Sequence, residues 1–331
     1  MARISIKDLR AGDRLEDQVF LIRTKDLRTT NQGALYIHTI LADATGQIPA
    51  RIWQANEDQF QSMPEGGFLR FKGRAESYKG NLQFIIDGMR AADPKTIDLS
   101  EFLPSTDQDV EQMWKRVKEI LRKIENPHVL ALLGEFINDD DLVTALKRSP
   151  AAMQLHHAYI GGLLEHTLSV LELALLVMPR YPLVSTDLVL AGVFLHDLAK
   201  TEELACDTAF SYTNRGQLVG HVVQCTIWIE EKCKAVEAAT KEPFPPEIRN
   251  ALQHIILAHH GQYEFGSPKL PAMPEAIAVH YLDNIDAKLQ QFTSKIVADP
   301  DPDREWTQYV PSLNTKVYKT DVLGIRDEKP S

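Results

Sequence analysis

Segments in which apolar and polar residues alternate occupy the N-terminal part of the chain. Residues 19–43 contain two β-rich runs around a polar, glycine-containing connection, and residues 47–53 continue the extended pattern. A short polar segment at 54–62 predicts a helix, and residues 68–92 contain two further strands around a turn. Five strands with a short helix before the fourth predict a small closed Greek-key barrel.

From about residue 108 the apolar positions recur at helical spacing instead. Helices are predicted at 110–125, 128–138, 140–147, 157–178, 187–199, 218–239, 246–260 and 274–297. Residues 93–107, which contain Pro and Asp, form a linker between the two regions. Residues 299–331 form a C-terminal tail that can pack back through Trp306 and Tyr309. The fold class is therefore multidomain α+β, with a barrel at 1–92 and an all-helical domain at 108–298.

The barrel pattern, with a D-x-T-G turn at 43–46, resembles an OB-fold of the single-strand-binding type. That resemblance implies oligonucleotide binding, in which bases stack on aromatic side chains and Lys and Arg hold the phosphates. The candidate contacts are Tyr36, Arg51, Trp53, Arg74, Tyr78, Lys79 and Phe84. Trp53 and Phe84 are equally compatible with a place in the barrel core.

Composition and charge limit the possible partners and the cellular location of the protein. The 331 residues carry a formal net charge of -10, which excludes a uniformly basic nucleic-acid binder. Residues 1–95 hold 14 basic and 12 acidic residues, whereas the rest of the chain holds 22 and 34, so the barrel is expected to meet a polyanion first. The three cysteines form no C-x-x-C pair and the N-terminus has no apolar core segment, which predicts a cytoplasmic location. No apolar run approaches the ~18 residues of a membrane span, so no membrane partner is expected.

Histidines concentrate in the helical region, where nine of the eleven lie between residues 156 and 280. His166 lies on an apolar helix stripe, and His196-Asp197 ends a helix that is apolar almost all round. Asp283 shares a helix face with apolar residues, so a second buried carboxylate is expected. Buried imidazoles and carboxylates need a partner. This donor set suits Mn, Fe, Co, Ni or Zn rather than Ca, and more than four ligands indicate two ions bridged by Asp197.

The order H…HD…H…HH…D matches the HD superfamily of metal-dependent phosphohydrolases. His166, His196, Asp197 and Asp283 match its four-residue signature, and His221, His259 and His260 match the further histidines of its two-metal members. The segments LHHAYIGGLLEHTLSV, FLHDLAK, LAHHGQYEFGSPKLPAMPEA and LDNIDAK resemble the YhaM-type 3′–5′ exoribonucleases. These enzymes combine an N-terminal OB-fold with an HD domain. The resemblance extends from about residue 15 to residue 320.

The resemblance implies a role for each residue. The first metal would be held by His166, His196, Asp197 and Asp283, and the second by Asp197, His221 and His259, with His260 either a ligand or a phosphate contact. Asp197, Lys200 and His260 would be catalytic, with Lys200 beside the phosphate. His157 would orient substrate or cap its helix. Tyr212 and Arg215 are candidates for the substrate entry, and His280, one turn before Asp283, for orienting a ligand.

The function expected is 3′–5′ hydrolysis of single-stranded RNA, or less selectively DNA, by a metal-activated hydroxide. Mn²⁺ is the favoured ion, with Fe²⁺, Co²⁺, Ni²⁺ and Zn²⁺ as alternatives. The barrel would feed the strand 3′ end first into the metal cleft, and a homo-oligomer is compatible with this arrangement. One alternative is an HD nucleotidase or cyclic-nucleotide phosphodiesterase with a regulatory barrel. The other is a non-catalytic single-strand-binding protein.

Overall fold

The structure is a computed structural model that describes residues 3–64, 66–93, 96–153, 157–206, 210–299, 301 and 303–324. The chain divides into two compact units. One, the barrel unit, is Met1–Ser105 with Ala205–Ser211, and the other, the helical unit, is Thr106–Leu204 with Tyr212–Ser331. Each unit has its own hydrophobic core.

Five strands build the barrel unit. They are β1 (Arg14–Thr29), β2 (Leu35–Asp43), β3 (Gly46–Trp53), β4 (Phe68–Tyr78) and β5 (Asn81–Ala91), with helix α1 (Glu57–Ser62) before β4. The barrel closes in the order β1-β2-β3-β5-β4, in which β3 and β5 are parallel and the other neighbours antiparallel. This closure confirms the five-stranded OB-type barrel that the alternating pattern predicts.

Aromatic side chains fill the barrel interior. Phe20 lies 6.0 Å from Phe84 and 6.4 Å from Phe71 between ring centroids, and all three are fully buried. Phe84 is therefore a core residue and cannot stack a base, which corrects the candidate binding role given to it. Trp53 takes the opposite place, because 46% of its surface is exposed. The core alternative for Trp53 is wrong.

The remaining elements are α2 (Val110–Leu121), α3 (Pro127–Ile137), α4 (Asp140–Arg148), α5 (Gly162–Val177), α6 (Thr186–Leu195), α7 (Lys200–Glu203), β6 (Leu204–Cys206), β7 (Phe210–Tyr212), α8 (Asn214–Leu218), α9 (Gly220–Thr240), α10 (Pro246–Ala258) and α11 (Pro274–Val297). The short strands β6 and β7 pair with each other. They lie in a segment for which the sequence pattern predicts no strand.

Three helix boundaries differ from the predicted ones by four residues or more, and the first is the end of α2, which lies at Leu121 and not at residue 125. The helix expected from residue 157 begins at Gly162, because Gly161 has a φ of +81° and His157 a φ of +48°, both outside the helical region. The helix expected to reach residue 199 ends at Leu195, so His196 and Asp197 lie at its C-terminal end, before α7.

Helix α6 lies at the centre of the helical unit. Its residues 189–195 are all buried, with α5, α10 and α11 packed against it. Gly192 makes this packing close: a Cβ atom there would lie 2.7 Å from Ile255 Cγ2 on α10 and 3.2 Å from Val279 Cγ2 on α11. The absence of a side chain one turn before His196 thus brings three ligand-bearing helices together.

Helix α5 is also mostly apolar. Contrary to the expectation that no apolar run approaches a membrane span, the stretch Gly162–Arg180 is long and apolar enough to cross a membrane by length and composition, but 56% of its most apolar window is buried inside the protein. His166 on this helix is fully buried. Packing in the helical core accounts for the apolar character of α5.

The predicted linker and tail both carry structure. Within 93–107, Leu99–Glu101 form a 3-10 turn and Phe102 is buried against Phe68, with ring centroids 4.9 Å apart. In the tail, Val317 and Thr307 are buried and Gln291 on α11 donates a 2.7 Å hydrogen bond to Ser312. Residues 325–331 lie outside the described part of the chain.

The contrast between Phe84 and Trp53 is measurable. Phe84→Ala should lower the free energy of unfolding of the barrel by about 3–5 kcal/mol, because a buried ring is replaced by a cavity. Trp53→Ala, the comparison on the exposed face, should lower it by clearly less, because 46% of this side chain is already exposed and its removal leaves no enclosed cavity. Hydrogen exchange of the barrel strands in the full chain reports both values. Equal losses would contradict the assignment of Phe84 to the core.

Candidate metal centre

The side chains of the predicted metal site converge in the helical unit. They come from five parts of the fold: α5, the chain after α6, the first turn of α9, the end of α10 and the middle of α11. The converging residues are His166, His196, Asp197, His221, His259, His260 and Asp283. All of the sequence-predicted ligands are thus brought together.

The first group of donors surrounds Asp197 Oδ2 and is called set one. It comprises His166 Nε2, His196 Nε2, Asp197 Oδ2 and Asp283 Oδ1. Five of the distances between these atoms fall between 3.2 and 3.8 Å. Ligand atoms about 2.1 Å from one ion at tetrahedral angles lie about 3.4 Å apart. The spacing of set one therefore fits one small cation.

The tautomers of His166 and His196 in set one favour a bound cation. His196 Nδ1 lies 2.7 Å from the carbonyl oxygen of Val193, which can only accept, so Nδ1 carries the proton. His166 Nδ1 lies 2.8 Å from Asp286 Oδ2, and by the same argument it donates. In the neutral rings both Nε2 atoms then present lone pairs to each other at 3.2 Å. A metal ion, or a proton in its place, relieves that repulsion.

The second group, called set two, surrounds Asp197 Oδ1. Within the described part of the helical unit, the buried side-chain nitrogen and oxygen atoms that lack a hydrogen-bond partner are Asp197 Oδ1, His221 Nε2, His259 Nε2 and His260 Nδ1. Asp197 Oδ1 lies 3.4 Å from His221 Nε2 and 3.8 Å from His259 Nε2. Buried polar atoms without partners are costly, so four of them in one cluster indicate a ligand that satisfies them together.

Protonation states at the centre suit metal binding. Burial opposes ionisation of Asp197, but the charges of Lys200, His196 and His221 outweigh it and hold the pKa of this carboxyl well below its usual value. Burial and the neighbouring His221 lower the pKa of His260 to about 4, and burial lowers the pKa of His259 as well. At neutral pH the carboxylate is ionised and both imidazoles are neutral, as metal ligands must be.

His166 behaves differently. Burial alone would lower its pKa, but hydrogen bonds to Asp283 and Asp286 and the nearby negative charges raise it to about 9. Without a cation, a proton therefore stabilises set one, and a metal ion must displace it. Set one and set two both fit divalent ions with imidazole and carboxylate ligands, such as Mn, Fe, Co, Ni or Zn.

Lys200 and His157 lie at the edge of set one. Lys200 Nζ is 2.7 Å from Asp197 Oδ2, so the lysine expected beside the phosphate contacts the shared carboxylate. His157 does not cap its helix, because it precedes α5 and its Nε2 lies 3.1 Å from Asp286 Oδ2. Its other nitrogen lies 2.7 Å from the hydroxyl of Tyr159.

Two further histidines of the helical unit, His280 and His254, have structural partners. His280 Nδ1 donates to the backbone carbonyl of His259 at 2.7 Å, so His280 supports the end of α10 that carries two of the candidate ligands. Its ring also lies within 2.5 Å of where a Cβ would stand on Gly261, whose φ is +81°, so only glycine fits there. His254 accepts from the backbone N–H of Ala272.

Two carboxylates at the centre were not predicted from the sequence. Asp286 contacts His157, His166 and Ser169, and Glu203 Oε2 lies 2.8 Å from His221 Nδ1. Asp286 was detectable, because it follows Asp283 at i+3 and so shares its helix face. Glu203 gave no such signal, since it lies 18 residues from His221 and meets it only through the fold.

On the barrel, the structure groups most of the candidate binding residues. Tyr36 on β2 is paired with Trp53 on β3, and their ring centroids are 5.2 Å apart. The Arg51 guanidinium lies 5.6 Å from the Trp53 ring and 5.5 Å from the Tyr78 ring. The Lys79 ammonium is 5.6 Å from the Tyr78 ring. These five residues form one surface, called the aromatic row.

Arg74 and the substrate-entry candidates Tyr212 and Arg215 do not belong to the aromatic row. Arg74 forms a 2.8 Å surface ion pair with Asp87, and it makes no contact with the aromatic row among the described interactions. Tyr212 is half exposed. The Arg215 guanidinium donates to Gln224 Oε1 at 2.9 Å through Nε, so α9 fixes this arginine one turn from His221.

A comparison with protein families matches part of the helical unit. Residues 163–288 match the model of the HD domain family. This segment is therefore similar to HD domains. An HD domain indicates a metal-dependent phosphohydrolase and implies divalent metal binding, in agreement with the two donor sets. The match begins at α5 and ends in α11, so it spans all seven candidate ligands.

Comparison with solved structures returns OB-fold proteins. The second OB-fold domain of replication protein A from Methanococcus maripaludis is 17% identical, with 29% of this chain and 98% of that chain covered and a TM-score of 0.22. The OB domain of Ta0387 from Thermoplasma acidophilum is 14% identical, with 26% and 81% covered and a TM-score of 0.21. A replication protein A heterotrimer bound to ssDNA is 20% identical, with 25% of this chain and 58% of that chain covered and a TM-score of 0.20. At these TM-scores the OB-type assignment depends on the strand order of the barrel itself.

The shared carboxylate can be tested by metal binding. The chelator-treated full chain should bind two Mn²⁺ ions in isothermal titration calorimetry. Asp197→Ala should abolish both sites, because Oδ1 and Oδ2 belong to different donor sets. The control His254→Ala removes a histidine of α10 that belongs to neither donor set, so this variant should retain both Mn²⁺ sites. Two sites of unchanged affinity in Asp197→Ala would contradict the assignment.

Proposed function

We propose that the protein is a 3′–5′ exoribonuclease that hydrolyses phosphodiester bonds of single-stranded RNA. The observation that carries the proposal is Asp197, whose two oxygens face two separate donor sets. A second feature, the aromatic row of the barrel, supports an extended strand as the substrate. Together they favour a nuclease over an enzyme that acts on a mononucleotide.

The proposal assigns set one to the first ion and set two to the second. His259 and His260 then both belong to the second ion, because each presents a buried nitrogen without a partner among the described residues. The proposal therefore makes His260 a ligand of the second ion and not only a phosphate contact. Mn²⁺ is the ion proposed, and Fe²⁺, Co²⁺, Ni²⁺ or Zn²⁺ would also suit the mixed imidazole and carboxylate donors of the two sets.

The chemistry divides between the ions and the protein side chains. Two divalent ions would activate a water molecule for attack on phosphorus and stabilise the phosphoryl charge. Lys200, whose ammonium is held at 2.7 Å by Asp197, adds a fixed positive charge beside this centre for a phosphoryl oxygen. The pKa of Lys200 is raised by Asp197 despite burial, so the ammonium keeps its charge at neutral pH.

The aromatic row supports binding of a single strand without sequence selection. Stacked bases gain about 1–3 kcal/mol each on aromatic side chains, and every base has a face to stack. Tyr36, Trp53 and Tyr78 offer such faces, and Arg51 and Lys79 offer charges for the phosphates. Arg74 is left out of this role because of its ion pair with Asp87.

Tyr212 and Arg215 remain the candidates for substrate contact near the metal centre. Arg215 is held through Gln224 on α9, the helix that also carries His221. Its guanidinium is about half exposed and 4.0 Å from Glu202, which leaves donors for a phosphate. The proposal therefore gives Arg215 the phosphate and Tyr212 a base.

The proposed exoribonuclease activity can be tested on a labelled RNA. A 5′-labelled single-stranded RNA incubated with the protein and Mn²⁺ should shorten progressively from its 3′ end. EDTA and Asp197→Ala should each reduce the rate at least 100-fold, because both remove the proposed ions. Hydrolysis of mononucleotides with no shortening of the oligomer would indicate the nucleotidase alternative. Equal decay with and without chelator would refute metal-dependent hydrolysis.

Strand binding by the aromatic row can be measured separately from phosphodiester hydrolysis. Trp53→Ala should raise the KM for a single-stranded RNA by about 5- to 160-fold, the range given by the loss of one stacked base. It should leave hydrolysis of bis(p-nitrophenyl) phosphate unchanged, because that substrate is too small to need the aromatic row.

Arg74→Ala is the matched control for this experiment. Its charge is already paired with Asp87 at the surface, where such pairs contribute little. The KM of this variant should therefore change less than about twofold. A larger effect from Arg74→Ala than from Trp53→Ala would place strand binding on another face of the barrel.

A further inference from the structure

Each donor set contains one imidazole supported by a carboxylate and one supported by a backbone carbonyl. In set one, Asp286 supports His166 and the Val193 carbonyl supports His196. In set two, Glu203 supports His221 at 2.8 Å and the Ile256 carbonyl supports His259 at 2.7 Å. The sets share this pattern although they come from different helices.

The two kinds of support have different consequences. A carbonyl fixes the tautomer and the ring orientation, because it accepts the Nδ1 proton and leaves Nε2 free as a ligand. A carboxylate does the same and also raises the basicity of the ring, which strengthens its bond to a metal. His166 and His221 are therefore the stronger imidazole donors of their respective sets.

Both carboxylates are themselves fixed. Asp286 Oδ1 accepts from the Ser169 hydroxyl, and Oδ2 lies 3.1 Å from His157 Nε2 as well as 2.8 Å from His166 Nδ1. Glu203 Oε1 accepts from the backbone N–H of His221 at 3.1 Å. Neither carboxylate needs to change its rotamer to orient its histidine.

A third metal ion at His157, His166 and Asp286 is the competing interpretation of this geometry. The three side chains offer donor atoms within 4.8 Å of one another. However, the facing atoms already satisfy one another through hydrogen bonds of 2.8 and 3.1 Å. Set two, in contrast, has four buried atoms without partners among the described residues. The Asp286 cluster therefore supports a ligand and does not itself bind an ion.

We propose that Asp286 and Glu203 are positioning residues, each dedicated to one ion. Asp286 orients His166 for the ion of set one, and Glu203 orients His221 for the ion of set two. The inference rests on the two-ion centre of the proposed function. The affinities of the two ions can then be changed separately by substituting Asp286 or Glu203, neither of which contacts an ion.

The test compares Asp286→Asn and Glu203→Gln, which keep the side-chain shape and remove the charge. Isothermal titration calorimetry with Mn²⁺ on the chelator-treated full chain should show two sites in the unmodified protein. Each variant should lose about 10- to 100-fold affinity at one site and keep the other. Glu172→Gln, on the surface of α5, and Glu202→Gln, next to Glu203, are matched controls and should bind both ions as the unmodified chain does.

Electron paramagnetic resonance gives a readout that a merely structural role would not change. The fully loaded protein should show a spin-coupled Mn²⁺ pair, because the ions share Asp197. At Mn²⁺ concentrations that fill only the unperturbed site, each variant should show an isolated ion instead. Should either variant misfold by circular dichroism, Ser169→Ala for Asp286 and Glu203→Asp for Glu203 replace it, with a several-fold loss expected at the same site.

The outcomes separate this inference from the proposed function. Two sites in the unmodified chain, with unchanged affinities in both variants, would overturn the positioning roles and leave the metal centre standing. Equal weakening of both sites by either variant would overturn the dedication of each carboxylate to one ion. If the unmodified chain binds no Mn²⁺, the metal centre and the positioning roles are both wrong.

Discussion

The electrostatic constraint on which the helical unit depends is the burial of Asp197 among imidazoles. An ionised carboxylate costs several kcal/mol to bury unless charges or hydrogen bonds compensate for it. Lys200 compensates at one oxygen, whereas the other oxygen has no hydrogen-bond partner within the described residues. The surrounding helices hold this unbalanced arrangement in place. Gly192 lets α10 and α11 approach α6 closely, and the hydrogen bonds to Val193 and Ile256 fix the two rings that follow. The packing energy of the core therefore maintains a cluster that would be unfavourable without a cation.

Much of the centre is readable from the sequence, because burial of a polar residue is visible in the pattern of its neighbours. His166 and Asp283 lie on apolar stripes, and His196-Asp197 ends an apolar helix, so their convergence is predictable. Glu203 is not predictable in this way, because a short turn and two small strands decide where it lies relative to His221. The role of Phe84 was also undecidable, because Phe84 and Trp53 both sit in alternating strands. Only barrel closure determines which ring points inward.

Helix ends show where local pattern fails. Apolar periodicity continues across residues 157–178, yet α5 begins at Gly162, since the backbone at His157 and Gly161 has positive φ. That early break turns His157 toward Asp286 and away from a capping role. Likewise, the apolar run that holds His196 and Asp197 does not reveal that α6 ends before them. The difference matters, because His196 and Asp197 follow the end of α6 and both reach the metal centre. His196 belongs to set one, and the two oxygens of Asp197 belong to set one and set two.

The dispersal of the ligands along the chain has a consequence for synthesis. His166 lies on α5 and Asp283 on α11, so set one is complete only when the last long helix is in place. A ribosome-bound nascent chain that lacks α11 presents three of the four donors of set one, but not the carboxylate that balances them. Stable loading of an ion proposed for set one would then follow translation of nearly all of residues 163–288, the segment that matches the HD domain model. Occupancy of set one would therefore report that α11 is in place, and a product truncated before α11 would be distinguishable from the finished protein by its metal content.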